Sequence, residues 1–310
     1  MSGLWAGVDI GGTKTAVMLS AAPPEVLGRV EFPTLPAEGP RRAIDLIVKS
    51  LRDLAGSTPL ESIGVSCGGP LNSAAGIIQA PPNLSTWVDV PITEILRAEF
   101  GVPIALENDA NAGAVAEHRF GAGQGARNMI FLTMGTGLGA GIIVDGRLYR
   151  GTSDAAGEIG HVRLTRSGPV GYHKAGSVEG WASGGGLAQV AAAAVAQARQ
   201  HNQPTILPEA PSAKDVAGAA HAGDALARKL IRSTGRRLGE TLAILVDILN
   251  PERIVIGGMA MRLGDDLLKP ARAVLRREAL PASFAACEIV PAQLNEQIGD
   301  LAAICVAMGA

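Results

Sequence analysis

Short apolar runs alternate along this chain with stretches whose apolar residues recur at helical spacing. Leu4–Ile10 is an apolar run stopped by Gly11-Gly12, and Thr15–Ser20 follows at hairpin distance, so two paired strands are predicted first. Val26–Phe32 reads as a third strand. Between Pro40 and Leu54, the residues Ala43, Ile44, Ile47, Val48, Leu51 and Leu54 keep the period of a helix. Ile63–Cys67 is a buried strand ending at Gly68-Gly69-Pro70; Ile92–Phe100 is a helix stopped by Gly101; Val102–Glu107 is the next strand. Asn108 can cap a helix over Ala110–His118, its side chain accepting from free N–H groups of the first turn.

A glycine-rich break, Gly121–Arg127, is a domain-boundary candidate, and after it the opening pattern returns. Met129–Met134 is a strand, Gly135-Thr136-Gly137 a turn and Leu138–Val144 a second strand, with Asp145-Gly146 turning into Arg147–Tyr149. Strand, glycine turn, strand thus occurs twice, a weak internal repeat. Helical spacing then covers Gly186–Asn202 and Asp224–Asn250; Arg253–Ile256 is a strand closed by Gly257-Gly258. Leu263–Ala279 is another helix, Glu288–Val290 a strand and Gly299–Met308 a final helix. The alternation predicts an α/β protein with two sheets.

Composition narrows the function classes. Lys plus Arg total 27 against 29 for Asp plus Glu, which leaves no basic footprint for nucleic acid and no reason to expect a membrane surface as partner. Three separated cysteines (Cys67, Cys287, Cys305) make neither a disulfide framework nor a spaced metal site, and no export or membrane-spanning segment is evident, so a cytoplasmic location is expected. Glycine is the anomaly: 40 residues, clustered at Gly11-Gly12, Gly68-Gly69, Gly135 to Gly141, Gly184 to Gly186 and Gly257-Gly258. Glycine at strand ends lets the backbone approach a ligand closely, so a ligand lined by backbone is expected.

Three familiar signatures fail. No lysine follows a glycine, which excludes the Walker A loop. Gly135-Thr136-Gly137-Leu138-Gly139-Ala140 fits a loose dinucleotide fingerprint but enters a strand, where that fingerprint should open a helix. Gly64-Val65-Ser66-Cys67-Gly68 fits a nucleophile elbow, yet Gly69-Pro70 follows in place of a helix, so Ser66 is a buried strand end.

Three other segments carry chemistry. In Asp9-Ile10-Gly11-Gly12-Thr13-Lys14, turn N–H groups suit phosphate oxygens and Asp9 suits magnesium or its waters; an ordinary glycine hairpin is the alternative. A facing Gly135-Thr136-Gly137 turn could grip the same polyphosphate. Glu107-Asn108-Asp109-Ala110-Asn111-Ala112 gathers polar side chains at a strand end, where α/β sheets bind ligands. Asp109 there suits a general base for phosphoryl transfer, or else helps cap the helix. Glu158 and His161 of Gly157-Glu158-Ile159-Gly160-His161, with Glu179, could bind several sugar hydroxyls, although a lone histidine or glutamate is more often structural.

Taken in order and spacing, these motifs resemble the ROK family of sugar kinases and repressors, over nearly the whole chain from Asp9-Ile10-Gly11-Gly12-Thr13-Lys14 to Ile256-Gly257-Gly258. The resemblance implies an actin/hexokinase-like fold of two ribonuclease-H-like domains around a central cleft: residues 1–122, completed by a helix at 299–310, and 123–298. It implies ATP and Mg2+ as cofactors, a hexose as substrate and a homo-oligomer, dimer or tetramer. It makes Asp109 the catalytic base and Asn83, Asn108, Asp109, Glu158, His161 and Glu179 the sugar ligands. Gly11, Gly12, Thr13, Lys14, Gly135, Thr136, Gly137, Gly257 and Gly258 line ATP, and Asp9 holds magnesium. The expected activity is phosphorylation of a hexose primary hydroxyl, glucose first. Fructose and N-acetylhexosamines (N-acetylmannosamine or N-acetylglucosamine) are alternatives, and a sugar sensor without catalysis is the rival of another class.

One departure matters. Many members bind zinc through one His and three Cys in a C-G-C-G-x-x-G-C-x-E pattern; here those cysteine positions hold Val170, Tyr172 and Ser177, so no structural zinc is expected. The repressor branch carries a helix-turn-helix domain before the kinase-like part. Here the phosphate motif begins at Asp9, which favours a kinase.

Overall fold

The structure is a computed structural model describing residues 3–309. Its first sheet starts as a glycine-turn hairpin: β1 (Leu4–Ile10) pairs antiparallel with β2 (Lys14–Ser20), and β2 with β3 (Gly28–Pro33). Helix α1 (Pro40–Ala55) has proline in its first turn, where no N–H is needed, and buries Ala43, Ile44, Ile47 and Leu51. β4 (Leu60–Cys67) runs parallel to β1 on its other side. A small hairpin of β5 (Leu71–Asn72) and β6 (Ile77–Ile78) precedes α2 (Ile92–Phe100), which ends on left-handed Gly101. β7 (Ile104–Asn108) pairs parallel with β4 and leads without a loop into α3 (Asp109–Phe120).

The second sheet repeats this plan. β8 (Met129–Met134) pairs antiparallel with β9 (Leu138–Val144), and β9 with β10 (Arg147–Leu148). A second small hairpin, β11 (Val170–Gly171) with β12 (Lys174–Ala175), precedes four helices: α4 (Val178–Ala182), α5 (Gly184–Gln200), α6 (Ala213–His221) and α7 (Ala225–Leu249). β13 (Arg253–Gly258) lies parallel to β8; α8 (Met259–Glu278) and α9 (Pro281–Ala286) follow, then β14 (Glu288–Pro291), parallel to β13. The two sheets, β3-β2-β1-β4-β7 and β10-β9-β8-β13-β14, have the same order of strand roles. The repeat read from two glycine turns is therefore a repeat of topology. Among the described residues no helix is long and apolar enough to cross a membrane.

The last helix, α10 (Ile298–Ala307), returns to the first sheet and is buried from Leu301 to Ala307. It lies so close to β4 that any side chain at Gly64 would overlap the backbone of Ala303 and Ala307. One hydrophobic cluster mixes α3 (Ala112, Val115, Ala116), the second sheet (Met129, Phe131, Val255) and α10 (Leu301, Cys305). α3 thus starts at the end of a first-sheet strand and packs on the second sheet, which puts its first residue, Asp109, at the seam.

Differences from expectation are local. The helix expected from Leu263 begins at Met259 and kinks at Gly264, whose φ of 49° breaks the helical backbone. α5 begins at Gly184, two residues early, because Ser183 caps it by accepting from Gly186 N at 3.0 Å. α4 and α6 carry no clear apolar period and were not expected.

Candidate active site

The floor of the cleft is made by the carboxyl ends of β1, β4 and β7. Asp9 stands opposite Ser66 in the β1–β4 register, and Cys67 opposite Asn108 in β4–β7. Ser66 is buried, as a strand end should be. Asn108 caps α3: its Oδ1 accepts from Ala110 N at 2.9 Å and from Asn111 N at 3.4 Å, while Asp109 Oδ1 accepts from Ala110 N at 2.8 Å. The capping reading of these residues is therefore correct. It leaves Asn108 Nδ2 beside Gly69 and Asp109 Oδ2 beside Gly68, where glycine leaves space over both.

Glu107 holds this corner in place. Buried, it accepts from Asn108 N and from Asn111 Nδ2, both at 3.0 Å. Its other oxygen accepts from Arg150 Nε at 2.8 Å and pairs with Nη2 at 2.7 Å. Arg150 follows β10, so this pair ties the two sheets together beside Asp109.

Carboxylates crowd the floor. Burial, then the charges of Asp109 and Asp300, raise the Asp9 pKa to about 7, against weaker pulls from Lys14 and Arg29. Burial raises Asp109 as well, opposed by the backbone N–H bonds at Ala110 and Asp109 itself. Asp109 nevertheless reaches solvent. Both are true because it lies on the floor of an open cleft, where protein walls displace bulk water without sealing the carboxylate. Glu158 is raised by burial, then by Asp109 and Glu179, with His161 opposing. Asp9, Asp109, Glu158 and Glu179 are thus linked electrostatically, one to the next.

The rim comes from the second half. Glu158 takes the N-cap position of a single helical turn, Ile159–His161, and His161 ends it. Glu179, on α4, accepts from Leu138 N at 3.1 Å, the N–H directly after the Gly135-Thr136-Gly137 turn. The carbonyls of Gly135 and Thr136 accept from Gly184 N (2.8 Å) and Gly185 N (3.0 Å), so the start of α5 holds that turn. Gly258 pairs with Met134 in the β13–β8 register, which brings Gly257-Gly258 beside the same turn. Across the cleft, Gly12 packs directly on Asn83.

Most residues singled out in the sequence therefore meet. Two play narrower parts than expected. Gly11 N is not free for a ligand, because it donates to Lys14 O at 3.0 Å to close the hairpin. Lys14 Nζ pairs with Glu31 at 2.9 Å. Three supporting residues had no local signal. Arg150 lies 43 residues from Glu107. Asp300, beside Asp9, pairs with Arg29 at 2.8 Å. Glu117, fully buried in α3, accepts from Ala122 N (2.7 Å), Gln293 N (3.0 Å) and Leu294 N (2.9 Å), clamping α3 to the segment before α10. Grooves of about 370 and 380 Å3 between α1 and α2 touch none of these residues.

The ROK family profile matches residues 5–309. The chain belongs to the ROK family. A glucokinase of Halalkalibacterium halodurans is 34% identical, over 96% of this chain and 93% of its own length. The solved structure of a ROK family glucokinase from Streptomyces griseus in complex with glucose and AMPPNP superposes with a TM-score of 0.82 at 32% identity, covering 99% of this chain and 100% of that one. A xylose repressor of Caldicellulosiruptor bescii is 32% identical over 86% of this chain and 67% of its own. Kinases and regulators of the ROK family both resemble this protein, and the actin-like fold with its central cleft is common ground.

Proposed function

We propose that this ROK protein is an ATP-dependent hexose kinase with glucose as first candidate substrate. The observation that carries the reading is Asp109: an accessible carboxylate at the cleft floor, at a helix N-terminus, within electrostatic reach of both Asp9 and Glu158. Glu158, His161, Glu179, Asn83 and Asn108 hold the sugar hydroxyls. Asp109 takes the proton of the primary hydroxyl as its oxygen attacks the γ-phosphorus in line; the bond to the β-phosphate oxygen breaks and ADP leaves. The residues Gly12, Thr13, Gly135, Thr136 and Gly137 line the phosphates, with Gly257 and Gly258 toward the nucleoside.

Asp9 with Asp300 nearby fits Mg2+, which is held by one or two carboxylates plus substrate phosphates and supplies neutralisation of phosphate charge when bound. We also propose that the cleft closes between domains of residues 1–122 with 299–310, and 123–298. The glucokinase relatives at over 30% identity put glucose first among the candidate hexoses.

An ADP-release assay across a hexose panel tests the reading. Turnover with glucose is expected; fructose or an N-acetylhexosamine as the best substrate would correct the sugar. The xylose-repressor relative favours a second reading, sugar sensing without catalysis. Calorimetric sugar binding without turnover on any sugar would select it.

A further inference from the structure

The zinc module of the ROK pattern cannot be assembled from this chain. A tetrahedral structural site needs four nitrogen or thiolate donors. The segment offers the imidazoles of His161 and His173, and no cysteine lies between Cys67 and Cys287. Among the described residues no three His, Cys, Asp or Glu side chains gather as a metal site.

We propose that residues 162–181 form a metal-free brace that positions His161 and Glu179, with Tyr172 as the positioning residue for the His161 ring. This rests on the kinase reading of the cleft. Each of the three positions where the family pattern has cysteine makes a different bond. Ser177 is buried and its Oγ accepts from Gly180 N at 3.1 Å, capping the helix that carries Glu179. Val170 is gripped through its backbone by Gln189 of α5, its N donating at 3.0 Å and its O accepting at 2.8 Å. Tyr172 meets the His161 ring edge-on, centroids 6.0 Å apart.

The surrounding bonds close the brace. Lys174 Nζ donates to His161 O and Arg163 Nη1 to Ala175 O, both at 2.7 Å. Val178 N donates to Val162 O at 2.8 Å. Trp181 Nε1 donates to Thr165 Oγ1 at 2.7 Å, and the Arg237 guanidinium covers the Trp181 ring at 4.7 Å, linking the loop to α7.

The backbone points to Tyr172 in particular. The two-residue turn between β11 and β12 is Tyr172-His173, with φ of 40° and 62°. Turns of this kind favour glycine or asparagine, and a bulky residue at positive φ is held there only by its surroundings. A half-exposed ring kept against that preference, edge-on to the imidazole, is the substitute for the metal.

The conformation makes a clean test possible. Tyr172→Gly removes the ring and suits the positive φ, so it should not lower Tm. The sugar KM should rise about two- to tenfold, the range an aromatic pair supports, with kcat within about twofold. Tyr172→Phe should keep the original KM. The His161 ring signals in a 1H–13C NMR spectrum should move in Tyr172→Gly, stay in Tyr172→Phe, and ignore a strong zinc chelator in the unaltered chain. An unchanged KM with unmoved His161 signals overturns the proposal, as does one zinc per chain by elemental analysis. If the unaltered chain phosphorylates no hexose, the kinase reading fails, while the NMR and metal results still decide the brace.

Discussion

The two sheets share one strand order and differ in what their glycine turns carry. In the first, the turn follows Asp9 and is braced within its own sheet: Gly11 N donates to Lys14 O, and Thr34, just after β3, donates its hydroxyl to Gly11 O and its N–H to Thr13 O. In the second, counting back from the turn puts Thr133 where the first has Asp9, and the turn is held from outside by α5 and Glu179. One half contributes charge on a hairpin braced by its own sheet. The other contributes amides on a hairpin steered by helices, and the carboxylates of Glu158 and Glu179. Asp109, at the seam, is where the two contributions meet, so substitutions in the three places should fail in different ways.

The largest loss belongs to the seam. Asp109→Asn keeps the size and removes the base, and kcat should fall about 10²–10⁴-fold while calorimetric sugar binding survives. Near-normal turnover would end the assignment. As the proposed base, the same carboxylate should set the acid limb of the pH–rate profile in the unaltered protein. Its pKa is raised, and it must be ionised to accept a proton. Activity should therefore fall as pH drops, with a midpoint above the usual carboxylate range.

Next is the charged half. Burial and neighbouring carboxylates lift the Asp9 pKa in the folded protein to about 7, against 3.8 for an ordinary aspartate. Between those values the unfolded state has released its proton and the folded state retains it, so stability falls as pH rises from about 4 to 7 and stays lowered above. Asp9→Asn removes that dependence. In the absence of Mg2+, its advantage over the unaltered chain in thermal melts should be near zero at pH 4 and grow toward pH 8, with a ceiling of about 4 kcal/mol. A pH-independent difference would show that the carboxylate is already relieved in the folded state.

The scaffolded half should respond through the sugar. A Cβ at Gly137 would stand 2.7 Å from Glu179 Oε2. Gly137→Ala should therefore push Glu179 off Leu138 N and raise the sugar KM about tenfold, the loss expected for a hydrogen bond to a charged group. An unchanged sugar KM would separate Glu179 from sugar binding.

Legibility followed the range of the interactions. The expected bounds of Ile92–Phe100, Met129–Met134 and Leu138–Val144 match the structure, because each is an apolar or periodic run bounded by turn residues: Pro91 and Gly101, Asn128 and Gly135, Gly137 and Asp145-Gly146. The catalytic candidates were legible for a similar reason: Asp9, Asp109, Glu158 and His161 all sit at element ends marked by glycine or a cap. α6 was missed because Ala213–His221 is short and alanine-rich, with Val216 as its one large apolar residue. α4 was missed inside a glycine-rich stretch that reads as loop. Glu107 with Arg150, and Glu117 with Gln293 and Leu294, act across 43 to 177 residues and leave no local pattern. The bonds of the proposed brace were hidden likewise: the missing cysteines are visible in sequence, whereas the grip of Gln189 on Val170 exists only once α5 is folded beside the loop.

The smallest effects come from comparing the two caps, Asn108 before α3 and Ser183 before α5. Alanine at either removes one side-chain acceptor from a helix N-terminus and should cost about 1 kcal/mol in denaturant unfolding. The functional results should diverge. Ser183→Ala loosens the start of α5, which donates to Gly135 and Thr136, so the ATP KM should shift and the sugar KM stay. Asn108→Ala loosens the residue beside Asp109 and removes an amide from the sugar side, so the sugar KM should move. Asn108→Asp separates the roles further. The carboxylate still caps, so stability should stay within about 0.5 kcal/mol. A second negative charge beside Asp109 should raise that pKa again and carry the acid limb of the rate profile to higher pH. If the limb stays in place in Asn108→Asp, the group that titrates it is not Asp109.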